Sequence, residues 1–167
     1  MPTAAEVEHL YAAASAEAPL HESPDVARLY AMLYEHARLT SGAITVAARR
    51  SGTLVGFGYG HTWRWQSEVD NWSLQLRASL GAHADLLDES FALALMAVSP
   101  IESGVGLGRR LLDLLLEGDD HAVAWLQTTD LDTPARRLYE RSGWRPLGHG
   151  PKAPNGEPGL VMIYHRR

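Results

Sequence analysis

Three glycines between residues 104 and 108 are the part of this sequence that most clearly predicts a binding function. Gly104, Gly106 and Gly108 follow the apolar run FALALMAV at 91–98 and precede the leucine-rich run RRLLDLLLE at 109–117. The pattern predicts a strand, a tight turn and a helix, because glycine adopts backbone conformations that other residues disfavour. A helix that begins at such a turn directs unpaired N–H groups and the positive end of its dipole outward. Such a terminus attracts phosphate, so we expect a phosphate-bearing small molecule as the ligand.

Composition and charge restrict the class of protein. The 167 residues are 46% hydrophobic and 21% charged, which is typical of a globular domain with its own core. The net charge of −5 argues against non-specific nucleic-acid binding, which needs a basic surface. Cysteine is absent, which excludes disulfides and thiolate catalysis, and the histidines have no spacing typical of a metal site. Neither a signal peptide nor an apolar run of membrane-spanning length is recognised, so we expect a cytoplasmic protein.

Helical and strand patterns alternate along the chain without a repeat or a linker, and they predict one α/β domain over 1–167. Helices are expected over 4–17, from Pro24 to about Ser41-Gly42, over 107–117 and over 134–142, with part of 64–88 also helical. Strands are expected over 43–50, 53–63, 91–98, 121–129, 144–148 and 159–165, and the first two form a hairpin around Ser51-Gly52. On the second helix the residues expected to face the core are Val26, Leu29, Tyr30, Leu33 and Ala37. On the helix over 107–117 they are Leu107, Leu111, Leu114 and Leu115.

Two motifs, VSPIESGVGLGRRLL at 98–112 and DTPARRLYERSGW at 132–144, resemble those of the GCN5-related N-acetyltransferase (GNAT) family. They occur in the family's order and at its separation, with a strand between them. The similarity in element order covers about residues 5–165 and is strongest over 91–148. The resemblance implies an α/β fold with a mixed, mostly antiparallel central sheet that is flanked by helices and has two splayed central strands. Because this chain starts with a helical pattern, we expect the sheet to lack the family's usual first strand.

The resemblance also implies an activity and a set of site residues. It implies direct transfer of an acetyl group from acetyl-CoA to a primary amine of a small molecule or peptide, without a metal. Backbone groups of Met96, Ala97 and Val98 would pair with the pantetheine arm. The pyrophosphate would bind the amides of Ser103, Gly104, Val105, Gly106, Leu107, Gly108 and Arg109. Tyr139 would lie near the thiol, where a phenol can protonate the departing thiolate.

Three departures from the family pattern keep a second function open, and the first is the expected absence of the family's first strand. Ser103 stands where the family usually has arginine or glutamine. The preceding strand offers only Ala92, Ala94 and Leu95 where many relatives have a glutamate that deprotonates the amine. The proton would then pass to water, to a histidine such as His61 or His83, or to a carboxylate from 68–89. The alternative function is a non-catalytic acyl-CoA-binding module with a degenerate site.

Aromatic and acidic residues between 63 and 89 are the candidates for contact with the acceptor amine. Trp63, Trp65 and Trp72 form either an aromatic wall of the acceptor pocket or part of the core under a helix. The acidic side chains nearby would attract a cationic amine, and they are Glu68, Asp70, Asp85, Asp88 and Glu89. Dimers are common in the family, so a homodimer is the candidate assembly.

Three further interpretations stay open for the residues around the two motifs. The glycines resemble a dinucleotide-binding turn, with Asp130 at the end of the next strand, although Arg109 occupies the third glycine position of that fingerprint. Asp132 either contacts the cofactor or helps to cap the helix that begins at Pro134. Arg109 and Arg110 either contact phosphate or belong to the solvated face of the helix. Arg109 is the better candidate for the phosphate contact, because it lies in the first turn.

Overall fold

The structure is a computed structural model, and it describes residues 1–39 and 42–167. Its helices are α1 (Ala4–Ser15), α2 (Pro24–Leu39), α3 (Asn71–Leu80), α4 (Leu107–Glu117) and α5 (Pro134–Arg141). Its strands are β1 (Ile44–Arg50), β2 (Thr53–Trp63), β3 (Ser90–Val98), β4 (Val123–Thr129), β5 (Arg145–Gly150) and β6 (Gly159–His165). Short 3-10 segments lie at Trp65–Ser67, Gly81–Leu87 and Pro100–Glu102. The expected end of the second helix near Ser41 lies outside the described residues.

The strands form one six-stranded sheet in the order β1-β2-β3-β4-β6-β5. The pairs β1–β2, β4–β6 and β5–β6 are antiparallel, whereas β3 pairs with β4 in parallel. The predicted α/β fold with a mixed, mostly antiparallel sheet is therefore confirmed. No strand precedes α1 in the part of the chain that the structure describes, as expected from the helical pattern.

The chain divides into two compact units, which we describe separately. The first comprises Met1–His61 and Ala94–Asp119, and the second comprises Thr62–Leu93 and Asp120–Arg167. The organisation as one domain over 1–167 stays a prediction.

In the first unit, β2 alternates glycine with aromatic residues, and this pattern decides what packs on each face. A Cβ added at Gly56 would lie 2.9 Å from Leu111 of α4, so glycine is what lets that helix approach the strand. Phe57 and Tyr59 point the other way, into the core formed with α1 and α2. That core consists of Val7, Leu10, Tyr11, Ala27, Tyr34, Leu54, Phe57, Tyr59, Leu95 and Ala97. The hairpin turn before β2 has the positive φ angles of a two-residue turn, 49° at Ser51 and 83° at Gly52.

The predicted inward faces of α2 and α4 are each partly wrong. On α2, Leu29 and Leu33 are 49% and 48% exposed, whereas Ala27, Ala31 and Tyr34 are buried. Tyr34 decides this rotation, because its ring packs edge-to-face on Phe57 and its hydroxyl donates to the carbonyl of Pro2 at 2.7 Å. The spacing of the large apolar residues did not predict that the small alanines of α2 would face the core.

On α4 the correction concerns two positions. Leu112 is buried, and Leu114, which was expected to face inward, is 37% exposed. Of the other residues predicted to face inward, Leu111 and Leu115 are buried and Leu107 is half-buried. Leu107 and Leu111 fit against Gly56 and Leu115 fits against Gly58, and these contacts set the rotation of the helix.

In the second unit, α3 and the 3-10 segment that follows it cover a core on the strands. The core consists of Trp63, Trp65, Leu76, Leu80, Ala84, Leu87, Ala92, Trp125, Val161 and Ile163. The side chain of Asp70 caps α3 by accepting from the backbone N–H of Ser73 at 3.0 Å. The parallel ladder between β3 and β4 consists of Phe91↔Ala124 and Ala92↔Trp125.

Candidate active site

The glycine turn has the backbone conformation that its sequence requires. Gly104 and Gly106 have φ angles of 79° and 82°, in the left-handed region where other residues are strained. Gly106 is the N-cap of α4, and no side chain caps the helix there. A Cβ added at Gly104 or Gly106 would meet nothing within 4 Å, so the space in front of the turn is open. The first N–H groups of α4 are therefore available to an anion.

Basic residues surround a cavity of about 410 Å³ beside this turn. It is lined by Gly106 and Leu107 at the start of α4, together with Arg110, Arg50 and Glu102. Among the described residues, the side chain of Arg110 makes no hydrogen bond or ion pair, and its backbone N–H donates to the carbonyl of Gly106. A guanidinium at the edge of a helix N-terminus adds to the attraction for phosphate.

The two adjacent arginines have different environments. Arg109, the expected phosphate contact, pairs with Asp113 one turn along α4, with 3.1 Å between its Nε and the carboxylate. Arg110 lines the cavity instead. The role of Arg109 stays a prediction, while the geometry makes Arg110 the stronger candidate for a phosphate contact.

Residues before the turn fix its position. The hydroxyl of Ser103 donates to the carbonyl of Pro100 at 2.9 Å and closes the short 3-10 segment. Glu102 is buried and pairs with Arg50, and this guanidinium holds the pKa of the Glu102 carboxyl below its usual value. Ser103 thus has a structural bond where the family usually carries a longer polar side chain.

The end of β3 provides backbone groups beyond the β3–β4 ladder. That ladder ends at Ala92 on β3, and the predicted pantetheine-binding residues Met96, Ala97 and Val98 lie further along the strand. The side chain of Ala97 is buried in the core of the first unit, whereas Met96 and Val98 are half-buried. The strand presents no titratable side chain at Ala92 or Ala94, as the sequence indicates.

Tyr139, the predicted proton donor, lies on α5 and is 5% exposed. Its ring lies 5.9 Å from that of Trp144, centroid to centroid. Burial raises the pKa of Tyr139, so the phenol keeps its proton at neutral and mildly alkaline pH. A protonated phenol is the form that can donate, which is compatible with the predicted role.

Thr133, rather than Asp132, caps the helix that carries Tyr139. The hydroxyl of Thr133 accepts from the backbone N–H of Arg136 at 3.0 Å, and Pro134 follows in the first turn. Asp132 pairs with Arg137 at 2.6 Å. Asp132 therefore does not cap α5 through its side chain, and a contact of Asp132 with the cofactor stays a prediction.

Two of the three tryptophans proposed as an acceptor wall, Trp63 and Trp65, have the environment that the core-packing alternative predicts. Trp63 and Trp65 are each 5% exposed and lie edge-to-face, with 5.3 Å between ring centroids. Trp65 donates from its indole nitrogen to the carbonyl of Ala84 at 2.7 Å, which anchors the 3-10 segment. Trp72 on α3 is 40% exposed. Contact of these three rings with an acceptor stays a prediction.

Several acidic side chains in the same region have structural partners. Asp70 caps α3, Asp88 accepts from the backbone N–H of Trp65 at 3.0 Å, and Glu89 pairs with Arg64 at 2.8 Å. These carboxylates are thus engaged in local structure. His83 is exposed on the 3-10 segment, so its imidazole is open to solvent.

Sequence reasoning did not predict two groups of polar residues that lie together in the structure. At the end of β4, Asp130 forms a hydrogen bond with His149 Nε2 at 2.7 Å and accepts another from Arg136 at 2.5 Å. The bond to His149, followed by the effect of Arg136, holds the pKa of Asp130 below its usual value. In the first unit, Glu22 accepts from the hydroxyl of Tyr11. Asp130 had drawn attention only as a dinucleotide contact, and no spacing rule connects Tyr11 to a loop residue.

The comparisons agree with the fold and the motifs. The model of the acetyltransferase (GNAT) family matches residues 6–144, and the chain belongs to this family. The match includes the glycine turn and favours the acetyltransferase interpretation over a dinucleotide-binding one. No curated protein sequence is significantly similar to the chain. None of the described helices is both long enough and apolar enough to cross a membrane.

Solved acetyltransferase structures share the fold at low sequence identity. The histone acetyltransferase HPA2 and related acetyltransferase from Corynebacterium glutamicum has a TM-score of 0.65 and 23% identity, covering 98% of this chain and 91% of that one. The ribosomal-protein-alanine N-acetyltransferase from Brucella melitensis has a TM-score of 0.60 and 17% identity, with 99% and 97% covered. The yncA protein from Salmonella typhimurium, solved with its cofactor acetyl-CoA, has a TM-score of 0.61 and 16% identity, with 97% and 87% covered.

Proposed function

We propose that this protein is an acetyl-CoA-dependent N-acetyltransferase that transfers the acetyl group directly to a primary amine of a small molecule or peptide. The observation that carries the proposal is the turn in which Gly104 and Gly106 adopt left-handed φ angles at the start of α4, within the stretch that matches the GNAT family. That backbone exposes amides suited to a pyrophosphate. The yncA structure with acetyl-CoA supports the same choice of cofactor.

In this proposal each residue has a defined role. The amides from Ser103 to Arg109 bind the pyrophosphate, and Arg110 adds a positive charge at the cavity beside them. Backbone groups of Met96 to Val98 pair with the pantetheine arm. When bound, acetyl-CoA supplies the acetyl group as a thioester. Tyr139 keeps a proton on its phenol oxygen that it can donate to the departing sulfur, because burial raises the pKa of that group.

A second function is favoured by one specific observation. The β3 strand carries Ala92, Ala94 and Leu95 where many relatives have a glutamate, so this strand provides no base for the amine. A protein that binds acyl-CoA without turning it over would have the same turn and the same open helix terminus.

A cytoplasmic location, a homodimer and the absence of a nucleic-acid partner stay predictions from the sequence.

The experiment that separates the two functions measures thiol release from acetyl-CoA in the presence of a panel of primary amines and of peptides with a free amino terminus. We expect acetyl-CoA to raise the melting temperature and at least one amine to accelerate thiol release above the rate without amine. A raised melting temperature without amine-dependent release across the panel would favour the binding module. The absence of any acetyl-CoA effect on melting would contradict both functions.

A further inference from the structure

A half-buried carboxylate in the first unit lies among tyrosines from three elements. Glu22 is in the loop between α1 and α2, and the hydroxyl of Tyr11 on α1 lies 3.0 and 2.9 Å from its two carboxylate oxygens. Tyr30 on α2 packs edge-to-face on Tyr11, with 4.9 Å between ring centroids. Tyr30 also packs against the core that contains Tyr59 of β2. Burial raises the pKa of Tyr30, and the nearby charge of Glu22 raises it further. We refer to Tyr11, Glu22, Tyr30 and Tyr59 as the Glu22 cluster.

The carboxylate of Glu22 has more acceptor capacity than the surrounding residues use. An ionised carboxylate offers about four lone-pair positions, and a tyrosine hydroxyl has one proton to donate. Within residues 1–39 and 42–167, no lysine, arginine or histidine pairs with Glu22. Burial raises its pKa, and the Tyr11 hydrogen bond offsets this only in part. A half-buried charge without a counter-ion is partly desolvated, so a bound cation would compensate for the lost hydration.

The cluster is held in place and remains accessible. The backbone N–H of Glu22 donates to the carbonyl of Ser15 at 2.9 Å, which fixes the loop against the end of α1. Tyr11 and Tyr59 are 9% and 5% exposed, whereas Glu22 and Tyr30 are half-buried and reach solvent. Tyrosine rings also attract cations through their faces. The chemistry of the cluster therefore favours a small cation that donates several hydrogen bonds.

We infer that the Glu22 cluster binds a primary ammonium group, with Glu22 as the counter-ion and the rings of Tyr11 and Tyr30 as the aromatic wall. An ammonium group carries three N–H donors and one positive charge, which match the unused acceptor positions of the carboxylate. That this ammonium belongs to the acetyl acceptor rests on the function proposed above. The substrate class would then be a cationic primary amine.

Titration with benzylamine, compared with benzyl alcohol as its uncharged counterpart, tests the site. The full chain is titrated by NMR as wild type, as Glu22→Gln and as Glu17→Gln. Glutamine at 22 keeps the size of the side chain and an acceptor for Tyr11 but removes the charge. Glu17 is an exposed glutamate of the same loop, so Glu17→Gln is the matched control. The ¹³C resonance of the Glu22 carboxyl carbon in the wild type reports on the site without any substitution.

We expect benzylamine to shift the Glu22 resonance and to bind wild type and Glu17→Gln equally, with benzyl alcohol binding more weakly. Glu22→Gln should weaken benzylamine binding roughly tenfold or more, because hydrogen bonds to charged groups are the strong ones. Equal affinity in Glu22→Gln, or no preference of the wild type for benzylamine over the alcohol, would overturn the inference. If Glu22→Gln does not fold, an unmoved Glu22 resonance in the wild type would overturn it alone.

The outcome separates this inference from the proposed function. If acetyl-CoA is turned over with amines and Glu22→Gln leaves the KM for each amine unchanged, the function stands and the ammonium site fails. If no amine accelerates thiol release while benzylamine still shifts the Glu22 resonance, the ammonium site stands and the proposed function fails.

Discussion

The guanidinium of Arg50 contacts both carboxylate oxygens of Glu102, with 2.5 Å from Nε to Oε1 and 2.9 Å from Nη2 to Oε2. Arg50 is the last residue of β1, and Glu102 lies directly before the glycine turn. This two-point ion pair joins the β1–β2 hairpin to the start of the turn, and both residues line the cavity beside Gly106. It therefore positions the backbone that we propose for cofactor binding.

The Arg50–Glu102 pair predicts a specific pH dependence of stability. Because Arg50 lowers the pKa of Glu102 in the folded state, the pair contributes stability that is fully present above the unfolded pKa of about 4.5. That contribution is lost as the pH falls through the lower folded value. We expect Glu102→Gln to melt at a lower temperature than wild type at pH 7, with the difference shrinking below about pH 4.5. Glu117→Gln, which changes an exposed glutamate of the same unit, should show no such difference, and a pH-independent gap for Glu102→Gln would contradict the assignment.

Gly106→Val should abolish the stabilisation of the protein by acetyl-CoA. A valine at a φ of 82° strains the turn, and its side chain occupies the open space in front of the amides. The measurement is the melting temperature with and without acetyl-CoA. Gly156→Val is the control, since Gly156 has a φ of 84° and equally open surroundings in the loop before β6. An acetyl-CoA shift that survives in a folded Gly106→Val protein would show that the site is elsewhere.

Tyr139→Phe should lower kcat about 10²-fold and leave acetyl-CoA affinity unchanged, if Tyr139 is the proton donor. Phenylalanine keeps the ring that packs near Trp144, so a packing role alone would leave turnover nearly intact. Since the pKa of Tyr139 is raised, no loss of activity from its deprotonation is expected up to about pH 10. Tyr164→Phe, at the other ring that contacts Trp144, is the matched control and should keep normal kcat.

The pH profile of kcat/KM should identify the route by which the amine loses its proton. We expect loss to water or a water chain, which gives a rate that rises toward the pKa of the amine itself. A histidine base would instead give a plateau above about pH 7, because histidine titrates near 6.5. Such a plateau, removed in His61→Ala or His83→Ala and retained in His36→Ala, would replace water with that histidine as the base.

Local chemistry allowed much of the secondary structure to be predicted. The start of α4 at Leu107 and the hairpin at Ser51-Gly52 follow from glycines, because glycine readily adopts the positive φ angles that these turns require. The start of α5 follows from Thr133, which caps the helix, and from Pro134, which fits its first turn. These signals act over a few residues, so a single sequence contains them in full.

Contacts between residues far apart in the chain determine features that the local signals do not predict. The rotation of α2 was misjudged because Tyr34 packs on Phe57, a contact between separate elements that no helical periodicity encodes. The Arg50–Glu102 pair spans 52 positions and the Tyr11–Glu22 bond spans 11, and neither has a spacing signature.

The sequence by itself therefore determined the elements, the glycine turn and the family, because these depend on backbone preferences and on motifs contiguous in the chain. The tertiary structure alone decided which side chains meet. It placed Trp63 and Trp65 in a core, joined Arg50 to Glu102 and left Arg110 at the cavity. Packing selects among faces that the periodicity of a helix or strand leaves nearly equivalent, and charges then pair with whichever partners that packing brings within reach.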